Sequence, residues 1–210
     1  MYKRQGIVAA GLTLVMLTGN IDLSVGNMIT MMCCFCAQFM METDNAILSV
    51  LGTVALAGVF GLLNGVLVSY VKLNSFITTL GTSSIFYAIA VLVSAGTVRV
   101  IPNDCDPLFR RLGDTAFFGG SLSILIVWFV VVVVILGLIL SRTVFGQQLY
   151  AIGANPVAAR FSGIKYKRNV TLAYVITGLC VGLAAVVTMA NALSANPQSC
   201  LLYTSPSPRD

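Results

Sequence analysis

The sequence predicts an all-α, polytopic membrane protein, and three observations carry that prediction. Of its 210 residues, 58% are apolar and only 9% are charged, with a mean hydropathy of +0.94; a soluble domain carries roughly 25% charged residues to solvate its surface. The charges fall in short islands, and the stretches between them are long enough for a hydrocarbon core of about 30 Å, which takes roughly 20 apolar residues in a helix. None of these stretches after Asp22 contains a charge.

Six segments follow in order. Gly6 to Thr18 is the first, and after the polar break Gly19-Asn20-Ile21-Asp22 a second runs from Leu23 to Met41. Together they cover 36 residues, about 54 Å as one helix, so two crossings or a broken re-entrant pair are expected. The acidic turn Glu42-Thr43-Asp44-Asn45 leads into Ala46 to Tyr70. A tight turn at Val71 to Asn74 then leads into a span from about Phe76 to Val98. A mixed-charge loop from Arg99 to Ser121 holds Pro102, Pro107 and Gly119-Gly120. Leu122 to Ser141 is rich in valine, which in water would favour a strand, but twenty uncharged residues favour a membrane helix. The last span runs from about Val170 to Asn191. Gly61-x-x-x-Gly65 lets a neighbouring helix approach closely.

Charge placement sets the orientation. Arg142, Arg160, Lys165, Lys167 and Arg168 share one segment without an acid, which the positive-inside rule places in the cytoplasm. Alternation then makes Arg99 to Ser121 external, the Lys72 turn internal and the Glu42 turn external. Nucleic acid is excluded as a partner, because it would need cations clustered on a soluble face. Cys33, Cys34, Cys36 and Cys180 lie in apolar segments, where a thiol acts as a small hydrophobe, and only Cys105 is expected in an exposed loop. A metal site on the cysteines lacks a fourth ligand, since the chain has no histidine.

The two ends read differently. CLLYTSPSPRD, residues 200–210, is the translation of one strand of a common transposase-based sequencing adapter, and MYKRQ, residues 1–5, matches the other strand. These ends are expected to be appended sequence and residues 6–199 an internal part of a longer protein, so the basic head Lys3-Arg4 is not the start of a signal peptide.

Asp22 is the one charge between apolar segments, where an ionised carboxylate costs about 2.5 kcal/mol or more. It is expected to cap the helix starting at Leu23, either as its whole role or together with a polar pathway lined by the broken backbone around it, because irregular backbone at membrane depth is tolerated only inside protein or beside water. A second informative stretch is FGQQLYAIGANPVAARFSGIKYKR, Phe145 to Arg168. Asn155 before Pro156 is a cap residue followed by proline at the first helical position, which predicts a short helix from Pro156 to Ser162 stopping at Gly163. That helix, with Val157, Ala158 and Phe161 beside Arg160, reads either as a protein-docking element or as an interfacial helix on lipid. No GxxxxGK[ST] occurs, so ATP is not held by a Walker loop in this chain, and Asp22 is the only titratable acid or base within the spans, too little for a proton relay.

TGNIDLSVGN (Thr18 to Asn27), GLLNGVLVSYVKLNSFITTLGT (Gly61 to Thr82) and FGQQLYAIGANPVAARFSGI (Phe145 to Ile164) resemble the permease subunits of bacterial ABC importers for monosaccharides, of the ribose, xylose and galactose type. The resemblance implies residues 6–199 are part of one transmembrane permease domain that pairs with a second permease copy in the inner membrane. It implies a periplasmic or lipid-anchored sugar-binding protein as donor and an ATP-binding cassette subunit as motor. This chain would hold no cofactor and catalyse no reaction, with ATP-Mg on the partner ATPase. Gly153, Asn155, Pro156, Ala159, Arg160 and Gly163 correspond to the coupling segment that sits on the ATPase. Gly19, Asp22, Ser24, Phe76, Thr78 and Thr79 would lie along the translocation path, the threonines either contacting sugar or bonding back to their own helix. Asn20, Ser75 and Gln147 stand where relatives usually have glycine, proline and arginine. Permeases for branched-chain amino acids share the loop pattern but carry a different signature at IDLSVG; an ion-coupled transporter would need more intramembrane titratable groups.

Overall fold

The computed structural model describes residues 2–102, 105–114, 116–117 and 122–197. Met1, residues 200–210 of the end expected to be appended, and the Gly119-Gly120 pair lie outside the described residues. Nine helices occur among those described: α1 (Tyr2–Leu17), α2 (Val25–Thr43), α3 (Ala46–Ser69), α4 (Ser75–Ser94), α5 (Pro107–Asp114), α6 (Ile124–Arg142), α7 (Val144–Ala154), α8 (Pro156–Phe161) and α9 (Tyr166–Ala192). Two two-residue ribbons complete the fold: β1 (Arg99–Val100) pairs with β4 (Ser194–Ala195), and β2 (Ala116–Phe117) with β3 (Leu122–Ser123), both antiparallel.

The all-α membrane class holds. Four described helices, α3, α4, α6 and α9, are long and apolar enough to cross a membrane. The apolar part of α1 is shorter, Gln5–Leu17. The α2 helix has the length but carries Asn27, Gln38 and Glu42, and it packs against α3, α4 and α9. A helix surrounded by protein needs less hydropathy than one facing lipid, because its polar groups find partners: Asn27 Nδ2 donates to Ser83 Oγ at 2.9 Å.

The centre of the bundle is α9. Buried residues make up 72% of its most apolar stretch, against 11% for α6, so α9 is surrounded by helices while α6 is largely exposed. The most extensive contact is between α3 and α9, where glycine removes the side chain that would hold backbones apart. A Cβ on Gly61 would lie 2.5 Å from the Tyr174 carbonyl oxygen, and one on Gly178 would lie 2.5 Å from that of Ala57. Hydrogen bonds lace the seam. Ser69 and Thr171 hydroxyls lie 2.7 Å apart, and on the other flank Thr177 Oγ1 donates to the Gly11 carbonyl of α1 at 2.8 Å.

The turns group at two ends, in the same sets that charge placement predicts. The Lys72 turn, Arg160 and Lys165 to Arg168 line one cleft at the basic end. At the other end Asp106 accepts the Ala46 N–H at 2.9 Å, and Ile101 N–H donates to the Leu193 carbonyl at 2.8 Å. Asp106 also accepts the Leu108 N–H at 2.9 Å, and these backbone donors hold its carboxyl below the usual carboxylate range. This packing buries Cys105, contrary to the exposed loop expected for it. The loop from Arg99 also carries α5, whose Gly113 backbone meets α9 at Ala190.

Gly61→Ala is expected to destabilise the protein by roughly 1–3 kcal/mol, because the added methyl must push two backbones apart. Gly137→Ala on α6, which would meet nothing within 4 Å, should be neutral or stabilising by about 0.5–1 kcal/mol. Thermal unfolding of both variants in detergent micelles measures the contrast, and equal effects would contradict a glycine-dependent seam.

Candidate functional site: a buried polar break beside a basic cleft

The site begins where α1 ends. Gly19 takes the left-handed φ of +77°, turning the chain out of α1, and helix resumes only at Val25. The expected cap at Leu23 is therefore displaced: Asp22 does not serve a helix starting there. Its Oδ1 accepts the Ser24 N–H at 2.9 Å and the Ser24 hydroxyl at 2.6 Å. The Leu23 N–H instead goes to Thr79 Oγ1 at 3.1 Å.

Long-range partners close the break. Ser24 Oγ accepts from Asn64 Nδ2 at 2.8 Å, Ile21 N–H donates to Ser75 Oγ at 3.3 Å, and the Tyr174 hydroxyl donates to the Ile21 carbonyl at 3.4 Å. Three helices thus converge on the five residues from Asn20 to Ser24, which is how irregular backbone among apolar helices satisfies its polar groups. Asp22, Ser24, Asn64 and Thr79 are all buried. Asn64 Oδ1 alone in this set has no hydrogen-bond partner among the described residues.

The predicted residues divide between this cluster and its surroundings. Thr79 is inside it, and its hydroxyl donates to the Ser75 carbonyl at 2.7 Å. Thr78 bonds back to the Asn74 carbonyl at 2.8 Å. Phe76 lies apart, half exposed on α4. Asn64, Ser75 and Tyr174 were not singled out from sequence; an asparagine inside the apolar run GLLNGVLV was the available signal.

The loop from Phe145 is more ordered than the sequence predicts. Its first part, to Ala154, belongs to α7, whose Thr143 cap accepts the Gly146 N–H at 3.2 Å. Asn155 then caps α8 as expected, its Oδ1 accepting the Val157 and Ala158 N–H groups at 3.0 Å each. The helix ends at Phe161, one residue short of the expected Ser162, and Gly163 turns the chain at φ +80°. Ala159 is buried beneath it, while Val157 and Phe161 are exposed, the latter by 90%. Arg160 lies over the Tyr166 ring, 4.6 Å from its centroid.

The two groups of predicted residues meet. Gly153 on α7 abuts the Leu17 carbonyl so closely that a Cβ would overlap it, and Leu17 is the last residue of α1 before the break. Gly19 and Asn20 also line the basic cleft with Arg160, a space of about 770 Å³ that includes Lys72, Lys165 and Arg168. No acid lines it.

Apolar helices around a buried polar break, with an exposed capped helix at the basic end, define a multi-pass membrane protein. The chain belongs to the family described as branched-chain amino acid transport system / permease component, which matches residues 5–205. It is 31% identical over 196 residues to the D-allose transport system permease protein of Escherichia coli (strain K12), covering 91% of this chain and 57% of that protein. It is 32% identical over 192 residues to the ribose import permease protein of Bacillus subtilis (strain 168), covering 91% and 59%. To the fructose import permease protein of Rhizobium meliloti it is 33% identical over 201 residues, covering 91% and 54%. The chain thus spans a little over half the length of these relatives. No solved structure matches it.

Asp22→Ala strips the acceptor from the Ser24 N–H and hydroxyl and should cost about 2 kcal/mol, whereas Asp22→Asn, which keeps an oxygen there, should lose less than about half of that. Chemical unfolding in micelles checks the order. An alanine variant as stable as the parent would show that the carboxylate is dispensable.

Proposed function

We propose that this chain is part of the permease subunit of an ATP-driven monosaccharide importer of the bacterial inner membrane. The observation that carries the reading is the 31–33% identity, across nine-tenths of the chain, to permeases named for allose, ribose and fructose. The family description names branched-chain amino acids, which keeps that substrate class as the second reading.

In the proposed cycle α8 seats on the ATP-binding cassette partner, which holds ATP-Mg. Three features support this: the exposed Val157 and Phe161, the Asn155 cap that stiffens the helix, and the acid-free cleft beside Arg160. A docking surface needs apolar anchors within a charged rim. Displacement of α8 passes through α7, because Gly153 bears directly on the end of α1. Packed backbones transmit shifts of this kind without slack. The receiving element is the break, whose hydrogen bonds to Thr79, Ser75 and Asn64 join α2 to α4 and α3. Under this reading α1 and α2 cross the membrane as a broken pair inside the protein, making six crossings. Gly19, Asp22, Ser24, Phe76, Thr78 and Thr79 then border the path taken by the sugar, delivered by a periplasmic or lipid-anchored binding protein to a pair of permease copies.

Uptake separates the two substrate classes. The intact permease containing this chain, reconstituted with its ATPase and binding protein, should accumulate a labelled pentose or hexose and not leucine; the reverse result overturns the sugar reading. Within the same proteoliposomes Arg160→Glu or Gly153→Val should reduce uptake by at least about tenfold, the order of one lost charge-assisted contact, while ATP hydrolysis and expression persist. Normal uptake in both variants would sink the coupling role of α7 and α8.

A further inference from the structure

A second cleft at the basic end, of about 620 Å³, opens between α6, α7 and α9. Its two halves differ in chemistry. The mouth holds Lys165 and Arg168, one helical turn apart at the start of α9. The inner wall is apolar, formed by Ile139 of α6 and by Leu172 and Ile176 of α9. No acid lines the cleft, and neither cation has an ion-pair partner among the described residues.

We infer that this cleft binds an anionic phospholipid of the cytoplasmic leaflet, with its phosphate between Lys165 and Arg168 and its acyl chains along Ile139, Leu172 and Ile176. Charge complementarity selects the headgroup. Two cations and the positive end of a 27-residue helix converge at the mouth. Polar donors complete the mouth: Asn169 Nδ2 donates to Gln148 Oε1 at 2.8 Å, which leaves the Gln148 amide hydrogens to face a ligand oxygen. Length selects a lipid over a free anion. From Lys165 to Ile176 the helix rises about 16 Å, which covers a headgroup and the upper part of an acyl chain. The wall ends on α6, whose residues Val130, Val134 and Leu138 are exposed on a helix apolar enough to face lipid, so a diffusing phospholipid reaches the cleft from the side. Basic pockets between membrane helices on the cytoplasmic face hold acidic headgroups in this way.

The test uses the purified full chain in micelles of zwitterionic lipid and detergent, titrated with phosphatidylglycerol while thermal unfolding is followed. Phosphatidylglycerol should raise the melting temperature of the parent. Lys165→Gln and Arg168→Gln should each raise the amount needed for half the effect by about fivefold, the worth of one cation at a membrane surface. Arg168→Lys, which keeps the charge, should retain most of the effect and guards against a glutamine variant that folds poorly. Lys72→Gln, in the neighbouring cleft, should leave the titration unchanged. Three results would overturn the proposal: no response to phosphatidylglycerol, an equal loss in Lys72→Gln, or full stabilisation of the parent by glycerol phosphate, which has the headgroup chemistry without the chains.

Discussion

Everything in this bundle depends on how closely α3 and α9 approach. In lipid there is no hydrophobic gain from bringing two apolar helices together, since the surrounding chains are as oily as leucine, so association rests on contact between backbones and on hydrogen bonds. Gly61 and Gly65 on one side and Gly178 and Gly182 on the other supply that contact. With α9 drawn against α3, its opposite flank is free to take α1, and α2 fills the groove beside both. The position of Tyr174 follows from the same seam: it stands on α9 between the glycine contacts, where its hydroxyl reaches the Ile21 carbonyl.

The break between α1 and α2 is thus supported by the seam and not by its own sequence. An isolated segment Gly19 to Ser24 would leave several backbone groups unpaired in a medium with no water, each costing about 1–3 kcal/mol. Here the donors and acceptors come from α3, α4 and α9. This dependence has a mechanical side: the stretch least able to satisfy itself is the stretch most exposed to any change in how its neighbours stand.

Legibility in the sequence followed the range of the interaction. The four long apolar helices were readable because a bilayer demands a run of about 20 apolar residues whatever the neighbours do, and valine in α6 did not obscure this. The cap at Asn155 was readable because Asn-Pro chemistry is local. The helix starting at Val25 was misplaced to Leu23 because Asp22 offers a plausible cap at once, while the Leu23 N–H is claimed by Thr79, 56 residues away. Helix α7 was invisible: VFGQQLYAIGA has neither the length nor the hydropathy of a span, and it is stabilised by packing on α1, α6 and α9. Burial of Cys105 likewise depends on contact between the α4–α5 connection and the end of α2, whose Met40 and Met41 line the same small space.

The lipid-facing helix α6 carries a consequence for how such chains change over evolutionary time. Most of its side chains are exposed on a helix apolar enough to face acyl chains, and acyl chains do not register shape, so selection at such sites sees hydropathy and length but not identity. Valine, isoleucine and leucine become synonyms there. On α9 each residue answers to a neighbour of fixed volume, and the same exchange would be a different word. Divergence among relatives should therefore concentrate on α6 and spare α9, making the two helices a fast and a slow clock within one chain.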